Sequence, residues 1–455
     1  MASTYLTRNM ATQGSSIYGT FSCWFKLSND NLTGGFLGHY FSNAYNFDIC
    51  MQLGNIEVAD YRTAYVLRKR TTAKYRDLNA WYHLYVAIDR SLATAADRCK
   101  IYVNGERITD FQSSEDQDYS QQTSGGHSGA VSMNNDYTAR VGLRYGSSDF
   151  FDGSITHMHW VDGSVIDIAQ FGSTDTSTGE WKINTSPTVA DYGTNGFFIL
   201  KDGNTITDQS SGGSYDFSLG GGTLTKTEDC PSNVFATLNP LDKAYTGTII
   251  LDNGNNTVMA SSGAGDYGLR STLAATTGKY YWEAKIGTFN TICILPMETR
   301  LVINLSDGSP ADDLYGVQRY SDTQTNVYND GTFDQHNTAM WGGITSSDVI
   351  SFALDLDNGK LFLAKNGAYK NTSGATGDPV NGTNPTFTIS DTTKTYGFYT
   401  ELRGNGDNGT IMNFGNGYFG TTAVASAGTN ASNNGIFEYD VPTGYTALST
   451  KGLNS

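Results

Sequence analysis

Along this chain apolar residues recur at every second position in short runs, and the clearest run lies between Asp348 and Gly367. Ile350, Phe352, Leu354 and Leu356 share one face of a period-two strand, while Val349, Ser351, Ala353 and Asp355 take the other. The run meets Asn358-Gly359, a dipeptide that tolerates the positive φ angles of a tight hairpin, and Leu361 to Lys365 reads as the return strand. The arrangement recurs earlier. Tyr82, Leu84, Val86 and Ile88 alternate between Trp81 and Asp89, and Cys99 to Val103 returns into Asn104-Gly105, as the later hairpin returns into Asn366-Gly367. The two hairpins predict the central strand pairs of two separate β-sandwiches.

Further strands are predicted from Thr20 to Ser28, where Phe21, Cys23, Phe25 and Leu27 fall on one side, and over 36–40, 46–53, 56–61 and 64–68. No stretch of ten or more residues keeps an apolar face at helical spacing. With 52 Gly, 8 Pro and 12% aromatic residues, the composition describes short strands joined by turns. The fold class is therefore all-β. A chain of 455 residues exceeds what one hydrophobic core organises, and two antiparallel sandwiches of jelly-roll type are expected, over 1–232 and 233–455. Pro231 and Pro240 bracket Phe235-Ala-Thr-Leu238, which reads as a stiff extended connector.

The net charge of −16 opposes contact with a phosphate backbone, so nucleic acid is not an expected partner. Such acidity also suits calcium-filled loops, although a soluble surface that resists association accounts for it without any ion. No cofactor is expected. The five cysteines are widely spaced, which indicates buried thiols rather than a zinc site or a disulfide framework. His157 and His159 lie two apart on a strand and have the geometry to share a metal, but no third ligand is evident, and His127 reads as a loop side chain. Arg68-Lys69-Arg70 is the one dense basic patch. It suits an acidic polysaccharide or a lipopolysaccharide phosphate, but an edge strand that uses charge against edge-to-edge pairing is the favoured reading. The N-terminus lacks a charged leader ahead of an apolar core, and no membrane-spanning run follows, so synthesis in a cytoplasm without membrane insertion is expected.

Candidate chemistry is sparse. Glu115, Asp116 and Asp118 fall in a polar stretch without β period, and Asp355 and Asp357 sit where a strand enters its turn. Neither group forms the paired carboxylates that glycan cleavage needs. No Gly-x-Ser-x-Gly elbow, P-loop or His-Glu-x-x-His sequence occurs, and the chain is not expected to be an enzyme.

Trp81-Tyr-His-Leu-Tyr-Val-Ala-Ile-Asp89, Ile101-Tyr-Val-Asn-Gly105 and Phe151-Asp-Gly-Ser-Ile-Thr together resemble the middle of a laminin-G-like, concanavalin-A-like jelly roll. With Ile168-Ala-Gln-Phe-Gly172 and the segments up to Pro240, their order resembles a module recurrent in virion structural proteins of tailed bacteriophages. Over about 241–420, Gly278-Lys-Tyr-Tyr-Trp-Glu-Ala-Lys-Ile286, the Asp348–Gly367 hairpin, Tyr396-Gly-Phe-Tyr-Thr-Glu401 and Met412-Asn-Phe-Gly415 are similar to a SPRY domain. The stretch 290–305 departs from that family's pattern. The resemblances imply a non-enzymatic virion protein (fibre, tail appendage or head decoration) that touches host-surface glycan. Two other readings are a purely architectural particle component bound to other virion proteins and, less favoured, a glycan hydrolase or lyase. They also imply location in the virion and a homo-oligomer. SPRY domains bind through loops at one end of the sandwich, and by position Asp266, Tyr267, Arg270, Tyr315, Tyr320, Tyr328 and Trp341 would supply them, unless these aromatics cover the core instead.

Overall fold

A computed structural model describes residues 3–10, 12–78, 80–123, 132–146, 148–201, 206–211, 215–245, 249–260, 266–299, 312–403 and 409–454. The chain falls into two compact units, Met1–Lys226 and Thr227–Ser455. It is all-β: among the described residues the helical elements are the single turns Ala95–Asp97 and Ile168–Gln170 and the short helix Thr450–Leu453. Among the described residues no helix is long and apolar enough to cross a membrane.

The first unit packs an eight-stranded sheet on a six-stranded one. The larger runs in space Phe111–Gln117, Tyr65–Thr71, Asn55–Arg62, Tyr45–Gln52, Gly34–Ser42, Thr138–Val141, Tyr5–Asn9, Ser218–Gly221. The smaller runs Phe197–Ile199, Gly153–Asp162, Tyr18–Leu27, Trp81–Asp89, Cys99–Val103, Glu106–Ile108. Alternation fixes the register, since a one-residue slip would turn every inner side chain outward. Leu37, Ile49, Val58 and Leu67 from the first sheet thus meet Phe21, Phe25, Leu84, Val86 and Trp160 from the second in one core. Asn104-Gly105 forms the tight turn the sequence expects, with φ of 49° and 81°.

The second unit is built the same way. One sheet runs Leu238–Tyr245, Asp266–Ala275, Tyr396–Arg403, Thr291–Pro296, Tyr315–Ser321, Gln324–Asn329, Thr332–Asn337. The other runs Ile249–Asp252, Thr257–Ala260, Thr410–Asn413, Lys279–Ile286, Ile350–Asp355, Lys360–Lys365, Ala368–Lys370. Trp282, wholly buried, stacks on its cross-strand partner Phe352 at 5.2 Å and meets Phe398 from the opposite sheet.

Three local expectations are corrected. The turn between Ile350–Asp355 and Lys360–Lys365 spans four residues, not the Asn-Gly pair alone, because the Asp355 carboxylate accepts from the Asn358 backbone at 3.0 Å and from its amide. The tight Asn-Gly turn lies one strand later, at Asn366-Gly367, with φ of 51° and 79°. Second, Val349, Ser351 and Ala353 are as buried as Ile350 and Phe352. The C-terminal segment returns across that outer face, pairing Thr446–Ala447 parallel to Tyr280 and Tyr281 and setting Phe437 edge-on to Tyr281 at 4.8 Å. Third, the stretch between the two prolines, expected as a stiff extended connector, is part of the second unit: Phe235, Ala236 and Leu238 lie in its core.

Candidate functional site

Most of the aromatic loop candidates prove to be strand residues, and three of them are buried. Tyr267, Tyr315 and Tyr328 are wholly buried, which corrects their expected role in binding loops. Tyr267 and Tyr315 belong to the central core, and Tyr328 packs with Cys293, Leu295 and Tyr399 on the other face of its sheet. Arg270 is also buried and gives its guanidinium to the Met297 carbonyl at 3.0 Å, the Thr299 carbonyl and Asp242. Asp266 opens a strand paired to Arg403, and its side chain lies outside the described set. Only Tyr320 and Trp341 remain half-buried. Tyr320 meets Phe289 edge-on at 5.5 Å and the His336 ring at 4.4 Å. Trp341 leans on the core, and its loop is tied by Lys365 Nζ to the Gly343 carbonyl at 2.8 Å and by Arg319 Nε to the Ile344 carbonyl at 2.8 Å.

The basic patch is paired rather than open. Tyr65–Thr71 is not an edge strand, because Phe111–Gln117 lies outside it. That outer strand corrects the placement of Glu115 and Asp116 in an irregular loop, and it explains the arginines. Glu57, wholly buried, accepts from Arg68 at 3.2 Å, Arg70 at 2.7 Å and Arg144 at 2.7 Å. Glu115 takes second bonds from Arg68 at 2.9 Å and Arg70 at 2.7 Å. Lys69 points to the opposite face and pairs with Asp116 and Asp118. Beside this network burial pushes the Asp48 carboxyl up to about 7, against the pull of Arg144. Arg68, Lys69 and Arg70 therefore hold the sheet's own acids, and a polyanion would have to displace them.

One polar pair has the outline of a nucleophile and its base, and its protonation rules that role out. Ser22 Oγ lies 2.9 Å from His83 Nε2, but Trp181 donates its indole N–H to His83 Nδ1 at 3.0 Å. The neutral ring must then carry its proton on Nε2 and donate it to Ser22. Burial holds His83 down at about 3, so the ring is a weak base, and with its Nε2 proton directed at Ser22 it does not accept from that hydroxyl. His157 and His159 both pack against Phe198, at 6.0 and 3.8 Å between ring centroids. A bulge between Thr156 and His159 puts His157 at φ 48°, while His159 bonds the Tyr192 hydroxyl at 2.9 Å. Among the described residues no group of three His, Cys, Asp or Glu could hold a metal. His127 lies outside the described residues.

A concave feature of the second unit lies where none of the sequence candidates points. Asn366, Gly367, Ala368, Tyr369, Pro379, Val380, Tyr439, Asp440 and Pro442 line an open groove of about 520 Å³. Its walls come from three separate segments, each fixed by its own bonds. The Asn366-Gly367 turn is locked because Asn366 accepts from the Val349 backbone at 2.9 Å and donates to Asp348 at 2.6 Å. Buried Glu283 accepts the backbone N–H of Glu438 at 2.8 Å and of Tyr439 at 2.9 Å, which pins the strip carrying Tyr439. Tyr445 donates its hydroxyl to the Pro379 carbonyl at 3.3 Å. The Tyr439 ring then lies against the turn so closely that a Cβ on Gly367 would come within 2.7 Å of it. Bonds from the Thr429 backbone and hydroxyl hold the exposed Asp440 carboxyl below its ordinary range, so a fixed carboxylate stands at the rim. The Tyr369 hydroxyl is buried and makes no hydrogen bond.

No protein-family model matches the chain, and no curated protein does. Among solved structures, the SPRY domain of human HERC1 aligns with 38% of this chain and 96% of its own at 13% identity and a TM-score of 0.28. The PSpry domain of TRIM65 aligns with 39% of this chain and 91% of its own, at 13% identity and a TM-score of 0.27. Domain 4 of AbnA, a GH43 extracellular arabinanase from Geobacillus stearothermophilus solved with arabinotriose, aligns with 34% of this chain and 64% of its own, at 15% identity and a TM-score of 0.24. The identification that stands rests on the chain's own sheets and cores: it is an all-β protein of two antiparallel sandwich units.

Proposed function

We propose that this chain is a non-enzymatic binding protein of a tailed-phage particle whose second unit takes a sugar ring of a host-surface glycan in the groove beside Tyr439. The groove carries this reading. Its volume falls within the ~300–1,000 Å³ usual for small-ligand sites, and it combines apolar rings with a few fixed polar groups. A pyranose has an apolar C–H face for a ring such as Tyr439 and hydroxyls for the exposed Asp440 and Asn366 side chains. Because the supporting bonds pre-set all three walls, little ordering is needed when a ligand enters. Weak single-site affinity suffices on a particle that displays many copies. The virion assignment is supported by the order of sequence motifs in the first unit and not by the groove.

A glycan array probed with the full chain and with Tyr439→Ala tests the binding role. Retention of at least one saccharide by the parent and its loss in the variant is expected. Equal retention by both moves the site elsewhere, and shortening of the bound oligosaccharide would make the protein an enzyme. If no glycan is held, the architectural reading takes over. A mass-spectrometric inventory of purified particles tests the virion assignment separately.

A further inference from the structure

The exposed aromatic surface of the first unit belongs to none of these features. His39, Phe47, Asp60 and Ala139 face the core from four neighbouring strands of the eight-stranded sheet and are buried. Toward one end of that sheet Phe41 sits in a bulge between Tyr40 and Ser42, with Tyr45, Arg62 and Tyr137, the last just ahead of the strand Thr138–Val141, beside it. Phe41 is 64% exposed and Tyr45 36%. They form one platform: Phe41 stacks on Tyr137 with centroids 5.1 Å apart and planes at 27°, Tyr45 meets Phe41 edge-on at 6.4 Å, and the Arg62 guanidinium lies 5.8 Å from the Tyr45 centroid. Arg62 donates Nε–H to Ser132 Oγ at 3.3 Å and Nη2–H to the Tyr137 hydroxyl at 3.4 Å, so its place beside the rings is fixed. Asn43, at the hairpin tip, accepts from the Tyr40 hydroxyl.

We infer that this platform is a second saccharide-binding surface, independent of the groove, and that it takes a neutral oligosaccharide by stacking a pyranose face on Phe41 while Arg62 and Asn43 meet its hydroxyls. Three rings are too few for a protein partner, since a stable interface covers roughly 800 Å² on each side. A net charge of −16 disfavours an anionic membrane or a second copy of the chain as the occupant, and exposed Asp136 next to Tyr137 disfavours an acidic sugar. An aromatic face rimmed by hydrogen-bonding groups suits a ligand that is apolar on one side and polar at its edge.

The test titrates the full chain with hexasaccharides of glucose, mannose and galactose, with a hexauronate and with detergent micelles, and compares Phe41→Ala, Arg62→Ala and Tyr439→Ala. At least one neutral hexasaccharide should bind, with affinity about tenfold weaker in Phe41→Ala and several-fold weaker in Arg62→Ala, while thermal unfolding of Phe41→Ala is unchanged because the ring is exposed. Unaltered saccharide affinity in both first-unit variants overturns the inference, as does binding of the hexauronate or micelles alone or the absence of any binding. Tyr439→Ala reads the groove separately, so either site can fail without the other.

Discussion

The two units share an architecture and differ in what they bury. The second concentrates aromatic mass, with Trp282, Phe352, Phe398 and Phe414 in mutual contact and a C-terminal strip laid over the outer face. The first has an aromatic core too. Both units bury charge, but Glu57 of the first holds three arginines on the outer face of the larger sheet, whereas Glu283 of the second accepts from backbone N–H groups, a tyrosine hydroxyl and an amide. Apolar burial is non-directional and tolerant, whereas a buried charge network is stable only while every member has its partner. Each unit should therefore fail in its own way.

The largest expected effect is in the second core. Trp282→Ala removes a fully buried indole and should cost about 3–5 kcal/mol in urea unfolding of the full chain. A loss below about 1 kcal/mol would mean that this core is loosely packed. In the first unit Glu57→Gln leaves three guanidinium groups short of their shared carboxylate and should also cost about 3 kcal/mol or more. A neutral result there would erase the contrast.

Acidity separates the units next. Burial raises Glu283 to about 7 in the second unit, against the bonds it accepts. A carboxyl raised in the folded state favours folding fully below its unfolded value of about 4.3, and that contribution is lost as pH rises through 7. Glu283→Gln does not titrate, so its melting temperature should gain on the parent's between pH 5 and 8. A constant offset would contradict this. The first unit has the same trend in Asp48 and Asp60, raised by burial to about 7 and about 6, and an opposing one in His39 and His83, both held down at about 3 by burial. The unfolded histidines protonate near ~6.5, so their share is lost as pH falls below that value. Gly367→Ala is a smaller perturbation, about 1–2 kcal/mol, from a side chain at φ 79° pressing on Tyr439, and it should weaken saccharide binding in the groove more than it lowers stability. Tyr320→Ala, at a half-buried surface cluster, should shift stability by no more than about 0.5 kcal/mol.

How far the sequence could be read depended on the distance between interacting segments. Ile350, Phe352 and Leu354 announced their strand, because period two is local. The burial of Val349, Ser351 and Ala353 was not legible, because the strip that covers their face lies some ninety residues downstream. Arg68 and Arg70 looked like a free basic patch because Glu57 and Glu115 stand opposite them across strands and not beside them in the chain. Tyr267, Tyr315 and Tyr328 carried the composition of a binding loop, but composition does not say which way a strand faces. The groove combines 366–369, 379–380 and 439–442, and of these only the Asn366-Gly367 turn had a sequence signal.

The central claim is that a binding surface stands on fixed walls in the second unit, and saturation-transfer NMR of the full chain with a saccharide retained on an array tests it most directly. The account predicts strong transfer to the C–H protons of one pyranose face, abolished in Tyr439→Ala while the fold is kept. Transfer that is unchanged in that variant would contradict it.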